Sequence, residues 1–142
     1  MLIDANLLLY AADAASPQHE RAAAWLADQL NGTRRVGIPW ESLNAFMRIA
    51  THPRASERPL TPDAAWQFVD DWLSVPTVWV PLPTDDHAAV FGALIKKYRL
   101  AGNLIPDGQL TALAMEHGLE VCSADTDFAR FSEIRWSNPL AR

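Results

Sequence analysis

The chain has 142 residues, about one domain's worth, and its 49% hydrophobic and 20% charged content is that of a chain that buries a core. A net charge of −5 speaks against indiscriminate binding to polyanions, and the single cysteine, Cys122, excludes an internal disulfide and an all-cysteine metal site. No apolar run approaches the roughly twenty residues that cross a bilayer, and MLIDANLLLY lacks the basic start and unbroken apolar stretch of a signal peptide, so the cytoplasm is the expected location.

MLI opens the chain as a short strand, with Asp4 directly behind it. Ser16-Pro17 places a capping hydroxyl before proline and introduces a helix with the stripe Ala22, Trp25, Leu26 and Leu30. RVGIP reads as the second strand. Glu41 opens the helix that follows it, whose apolar face is Leu43, Phe46, Met47 and Ala50. Thr61-Pro62-Asp63 starts a third helix, in which Ala65, Trp66, Val69, Trp72 and Leu73 form a packing stripe. TVWVPL is the third strand, and Thr84-Asp85-Asp86 starts a further helix. After the Gly102-Asn103 turn and Pro106, Asp107 is expected to begin a helix carrying Leu110, Leu113 and Ala114, stopped at Gly118. LEVCSA, the short helix DFARF and IRW complete the chain. Strands alternating with helices imply an α/β fold: a mostly parallel sheet of about five strands, covered on both faces. No repeat, low-complexity tract or linker interrupts it, so residues 1–142 are expected to form one domain.

In an open parallel sheet the functional crevice lies beyond the carboxyl ends of the strands. Asp4 follows the first strand, Glu41 lies just past the second, Asp125 follows the fourth, and Asp107 opens the helix before that fourth strand. A lone acid at a strand end is usually a helix cap. Four acids delivered to one edge from distant parts of the chain are harder to explain that way. Gathered carboxylates repel one another, and hard divalent cations, Mg²⁺ or Mn²⁺, relieve that repulsion through oxygen ligands. Such an ion lowers the pKa of a bound water and neutralises charge on a phosphodiester. The expected division of labour has Asp4 and Asp107 as direct ligands, with Glu41 and Asp125 completing the cluster or holding the attacking water. Asp127 is a fifth candidate ligand, or else a cap for DFARF. Asn6 and Ser123 are neutral groups placed to hydrogen-bond the acids. Glu41, Asn44 and Arg48 share one helical stripe, which puts Asn44 and Arg48 on the substrate side.

Other chemistries find less support. His19, His52, His87 and His117 show no metal-ligand spacing, and Ser42 and Ser123 lack a nucleophile elbow. A haloacid-dehalogenase-type phosphatase wants a second acid two residues after the first, where this chain has Asn6, and a positioned lysine that neither Lys96 nor Lys97 obviously supplies. A catalytically silent RNA- or protein-binding module would not require all four acids.

MLIDANLLLYA, WESLNAFMRIAT, NLIPDGQLTALAMEHG and SADTDFARF, in this order and spacing over nearly the whole chain, resemble the PIN-domain family, and within it the VapC-type toxins of bacterial toxin–antitoxin pairs. The resemblance implies a three-layer α/β/α sandwich and Mg²⁺- or Mn²⁺-dependent endoribonuclease activity on structured RNA, tRNA or rRNA. It also implies frequent homodimers and inhibition by a small VapB-type antitoxin. The family's acids fall on Asp4, Glu41, Asp107 and Asp125, with Asp127 as the variable fifth. Gly108, a weak helix residue beside Asp107, either loosens that acid or makes room for substrate backbone.

Overall fold

Each of the five apolar runs supplies a strand, and all five pair in parallel in one sheet of order β3-β2-β1-β4-β5. The computed structural model describes residues 1–141. Its elements are strand β1 (Leu2–Ile3), helices α1 (Ala5–Ala12) and α2 (His19–Leu30), strand β2 (Val36–Gly37), helices α3 (Trp40–Ala50) and α4 (Pro62–Leu73), strand β3 (Val78–Trp79), helices α5 (His87–Tyr98) and α6 (Leu104–His117), strand β4 (Val121–Cys122), a 3₁₀ turn (Thr126–Arg130) and strand β5 (Trp136–Ser137). The paired segments are shorter than the runs TVWVPL and LEVCSA suggest. Backbone bonds nevertheless extend past them, as in Asp4 N to Cys122 O at 3.0 Å and Ser123 N to Ser137 O at 3.1 Å. The last strand lies slightly beyond IRW.

Strand periodicity divides the core in two. Leu2 pairs in register with Val121, and both face a cluster with Leu94, Leu110, Leu113 and Phe128 from α5, α6 and the 3₁₀ turn. Ile3 pairs with Cys122, and both face the opposite cluster, with Leu7, Leu8, Leu26, Leu43, Phe46 and Val69 from α1 to α4. The architecture is therefore the expected three-layer sandwich. Phe46 is wholly buried and meets Trp72 edge-on with ring centroids 4.8 Å apart, so the α4 stripe is core at Val69 and Trp72. Trp66 stays exposed. Burying a side chain of this size stabilises by roughly 1.5–3 kcal/mol. Among the described residues no helix is long and apolar enough to cross a membrane.

The starts of α2, α5 and α6 differ from expectation, whereas that of α4 does not. Thr61 caps α4 as read, accepting from Ala64 N at 3.1 Å. Ser16 accepts from Gln18 N at 3.2 Å and shapes a turn, with α2 starting only at His19. Thr84 accepts from Asp86 N at 3.2 Å, but its hydroxyl proton goes to Glu116 Oε1 at 2.7 Å. Helix α6 begins at Leu104, so Asp107 lies one turn inside the helix rather than at its first residue. Pro106 is tolerated in that first turn, where its missing N–H has no helical partner to lose. Gly118, at φ 66°, ends α6 in the left-handed conformation that glycine adopts without strain.

Candidate active site

β1 and β4 lie side by side at the centre of the sheet, but the chain leaves β1 toward β2 and β4 toward β5. The carboxyl ends of these two strands therefore open on the topological switch point, where α/β sheets form crevices. Asp4 stands at the end of β1, and Ser123 and Asp125 stand just past β4. Ser42, at the start of α3, donates to Ile3 O at 2.7 Å and fastens the first turn of that helix, with Glu41, against the end of β1.

Ser123 organises the crevice. Its hydroxyl donates to Asp4 Oδ2 at 2.7 Å and accepts from Asp125 N at 3.0 Å and Asn6 Nδ2 at 3.0 Å, which uses its whole hydrogen-bonding capacity. Asn6 also donates to Asp4 Oδ2 at 3.3 Å and accepts from Ala124 N at 3.2 Å, so its amide orientation is fixed. Asp4 Oδ1 accepts from Ala5 N at 2.7 Å at the start of α1. Asp4 is thus both the cap of α1 and a member of the acidic group. Asp125, not Asp127, caps the 3₁₀ turn, accepting from Asp127 N at 2.8 Å. The extended backbone at Asp125 decides this, because a capping residue stays outside the helical region. Asp127 instead meets Arg130, whose Nη2 lies 3.3 Å from its Oδ1.

Carboxylate oxygens of Asp107, Asp125 and Asp127 lie within 4.8 Å of one another. Asp107 is 9% exposed. Burial first, then the charges of Asp125, Asp4 and Asp127, push its carboxyl up to about 7 against the pull of Arg130. Burial also raises Asp4; the bonds from Ser123 and Ala5 oppose this, and the Asp125 charge adds to it. Glu41, in the first turn of α3, is not among the acids whose carboxylate oxygens lie within 4.8 Å of one another. Its Oε2 is buried without a hydrogen-bond partner. Asn44 and Arg48 lie exposed further along the same helix.

A hard divalent cation fits this donor set. The oxygens are close enough to share an ion, Asp107 is held in an environment that resists its charge, and Glu41 keeps an unsatisfied buried oxygen. Gly108 is explained by packing. A Cβ there would come within 2.5 Å of Leu100 Cδ1, so the glycine makes room for the loop between α5 and α6 and not for substrate.

Two features carry little signal in the sequence. Arg130 clips Asp127 and tempers Asp107, with only the i,i+3 spacing to point to it. Glu116, with its side chain 1% exposed, accepts from Thr84 N at 2.9 Å and from the Thr84 hydroxyl, and pairs with His87 Nδ1 at 2.7 Å. Burial alone would raise this acid, but the bonds from His87 and Thr84 hold it below the ordinary carboxylate range. It locks α5 to α6 and is structural. The remaining histidines are also engaged: His19 with Tyr10 O, His117 with Leu82 O and His52 with Arg54 N. Lys97 pairs with Glu133 at 3.1 Å.

The model of the PIN domain family matches residues 1–134. The chain belongs to the PIN domain family. This PIN domain is 40% identical to Ribonuclease VapC37 of Mycobacterium tuberculosis over 140 residues, 99% of this chain and 97% of that one. Its fold resembles the solved structure of Mycobacterium tuberculosis VapC20, a toxin described as cleaving the sarcin–ricin loop. The TM-score is 0.69 at 18% identity, over 94% of this chain and 98% of the other. It also resembles VapBC2 of Rickettsia felis, solved bound to a DNA fragment from the promoter, with a TM-score of 0.67 at 15% identity and 96% of each chain covered. Both structures share the sandwich fold with this PIN domain.

Proposed function

We propose that this PIN domain, as one unit over residues 1–142, is a Mg²⁺- or Mn²⁺-dependent endoribonuclease and the toxin of a VapBC-type pair. The observation that carries this reading is the meeting of Asp107, Asp125 and Asp127 oxygens within 4.8 Å beside Asp4, at the switch point of the sheet. The full-length likeness to a ribonuclease of the VapC group supports it. In this reading Asp4, Asp107, Asp125 and Asp127 hold the ion, and Glu41 completes the site from α3. The bound cation supplies a water of lowered pKa and neutralises charge on the phosphodiester.

The residues around the acids have their own tasks. Ser123 and Asn6 hold Asp4 in one orientation. Arg130 fixes Asp127. Asp107, with its carboxyl near neutrality, takes up or releases a proton according to what occupies the site. Asn44 and Arg48 extend the substrate side along α3. The proposed substrate is structured RNA, tRNA or rRNA, and the proposed partners are a small VapB-type antitoxin and a second copy of the chain, acting in the cytoplasm.

Mapping RNA ends after controlled expression tests this directly. New ends with the parent protein, and none with Asp4→Asn at equal abundance, are expected. Identical end profiles for the two would leave no reason to call the protein a nuclease.

A further inference from the structure

We propose that the RNA strand is gripped a second time, away from the acids, by a phosphate-binding pocket formed by Arg48, His52 and Arg54 at the far end of α3. This rests on the ribonuclease reading above. A pocket of about 270 Å³ opens there, lined by Arg48, Ile49, His52, Arg54 and Ala55. Arg48 and Arg54 are exposed, and neither takes part in an ion pair among the described residues. In a chain of net charge −5, two arginines outside any ion pair that line one pocket are not the overflow of a generally basic surface.

The loop after α3 is shaped around the histidine ring. Thr51 Oγ1 donates to Met47 O at 2.7 Å, His52 N to Ile49 O at 3.1 Å, and Ala55 N to His52 O at 3.2 Å. Arg54 N donates to His52 Nδ1 at 3.0 Å. That bond makes Nδ1 the acceptor and leaves Nε2–H as a donor. The residues lining the pocket thus include two guanidinium forks and a ring N–H and no carboxylate, and guanidinium forks match the oxygens of a phosphate.

Its position says which phosphate. Glu41, half-buried, and Arg48, exposed, lie on one stripe of α3, separated by two turns, about 10 Å along the axis. The phosphate held by Arg48 would therefore lie a few nucleotides from the scissile one along the same strand. A strand crossing the acids and then following α3 meets both sites. Phosphate contacts of this kind set register and orientation and carry no sequence information.

The test uses Asp4→Asn as a non-cleaving background, with and without Arg48→Ala/Arg54→Ala. The probe is a fluorescein-labelled unstructured RNA of about twelve nucleotides, followed by anisotropy in Mg²⁺ between 50 and 200 mM KCl. Loss of the pocket should weaken binding about tenfold and lower the slope of log K against log salt by about 0.7, the share of one phosphate on a single strand. Arg48→Lys/Arg54→Lys should restore most of the salt slope but not the full affinity. Both arginines are exposed, so the thermal midpoint should not move. Unchanged affinity and slope in the alanine double variant would overturn the pocket while leaving the nuclease reading intact, provided that the parent protein cleaves RNA. A parent that neither binds nor cleaves RNA overturns both. Retained RNA binding with loss of antitoxin binding would assign the pocket to the antitoxin and also overturn the proposal.

Discussion

The Ser123 hydroxyl donates to Asp4 Oδ2 at 2.7 Å while accepting the Asp125 amide, so one small side chain fixes the acid of β1 relative to the acid beyond β4. Ser123→Ala keeps both carboxylates and removes this bridge together with the bond from Asn6 Nδ2. Activity should fall roughly 10- to 100-fold, the usual cost of losing a partner that orients a metal ligand. If the proposed metal site is right, Asp4→Asn and Asp107→Asn should each cost on the order of a hundredfold or more, because a ligand charge would be lost as well. Cleavage rates at saturating Mg²⁺ give the ranking. A Ser123→Ala loss as large as that of Asp4→Asn would mean that the bridge holds the fold of the site and not merely one rotamer.

Asp107 links the site to stability. Its folded carboxyl is raised from 3.8 to about 7, so its contribution is fully present below about pH 4 and is lost as pH rises through 7. Asp4 shifts in the same direction. Metal-free protein should therefore lose thermal stability between about pH 4 and 7, and Mg²⁺ or Mn²⁺ should restore it at pH 8 where matched Na⁺ does not. Asp107→Asn should raise the metal-free midpoint at pH 8 by a few degrees and blunt the response to Mg²⁺. A lower midpoint for this variant would make Asp107 a structural residue.

How far the sequence discloses this arrangement depends on the range of each interaction. The strands are visible because MLI, RVGIP and LEVCSA are apolar runs bounded by polar or turn residues, and Asp4, Glu41 and Asp125 follow from where those runs end. Helix α1 is not visible: ANLLLYAA continues the apolar run of β1, and Asp4 alone marks the break. Helix α6 is masked differently. It is buried on nearly all sides, so no amphipathic stripe reports its true start at Leu104, and Pro106 draws attention to Asp107 instead. The Thr84–Glu116–His87 lock joins residues about thirty positions apart with no periodic signature. Whether Asp125 or Asp127 caps the turn after β4 is settled by backbone angles, which an Asp-Thr-Asp sequence does not specify.

Two glycines inside helices should respond in opposite ways to alanine. Gly92 in α5 has nothing within 4 Å of an added Cβ. Gly92→Ala should therefore stabilise by up to about 1 kcal/mol through helix propensity alone. At Gly108 the added carbon would sit 2.5 Å from Leu100 Cδ1, with Phe91 Cε1 next at 3.5 Å. Leu100 is itself buried, and overpacking of this kind costs typically about 1–3 kcal/mol, enough to outweigh the propensity gain. Thermal melts should show Gly92→Ala above the parent and Gly108→Ala below it. A stabilised Gly108→Ala would mean that Leu100 has a free alternative rotamer.

The chemistry of the cut ends follows from which groups surround the acids. Ribonucleases that use the 2′-hydroxyl as nucleophile need a general base beside it, commonly histidine, and they leave a cyclic phosphate. Among the described residues no histidine hydrogen-bonds to these acids: His87 pairs with Glu116, His117 with Leu82 O, His19 with Tyr10 O, and His52 accepts from Arg54 N. The groups at the crevice are carboxylates, which suit activation of water. Attack by water at phosphorus, with the 3′-oxygen leaving, gives a 5′-phosphate and a free 3′-hydroxyl. A single 2′-deoxy substitution at the scissile nucleotide should then still permit cleavage, slowed only as far as the protein reads the 2′-hydroxyl for shape. Ligation, and kinase labelling with and without prior phosphatase, identify the ends on purified product. A 2′,3′-cyclic phosphate together with complete resistance of the deoxy substrate would exclude attack by water even in a protein that cleaves RNA.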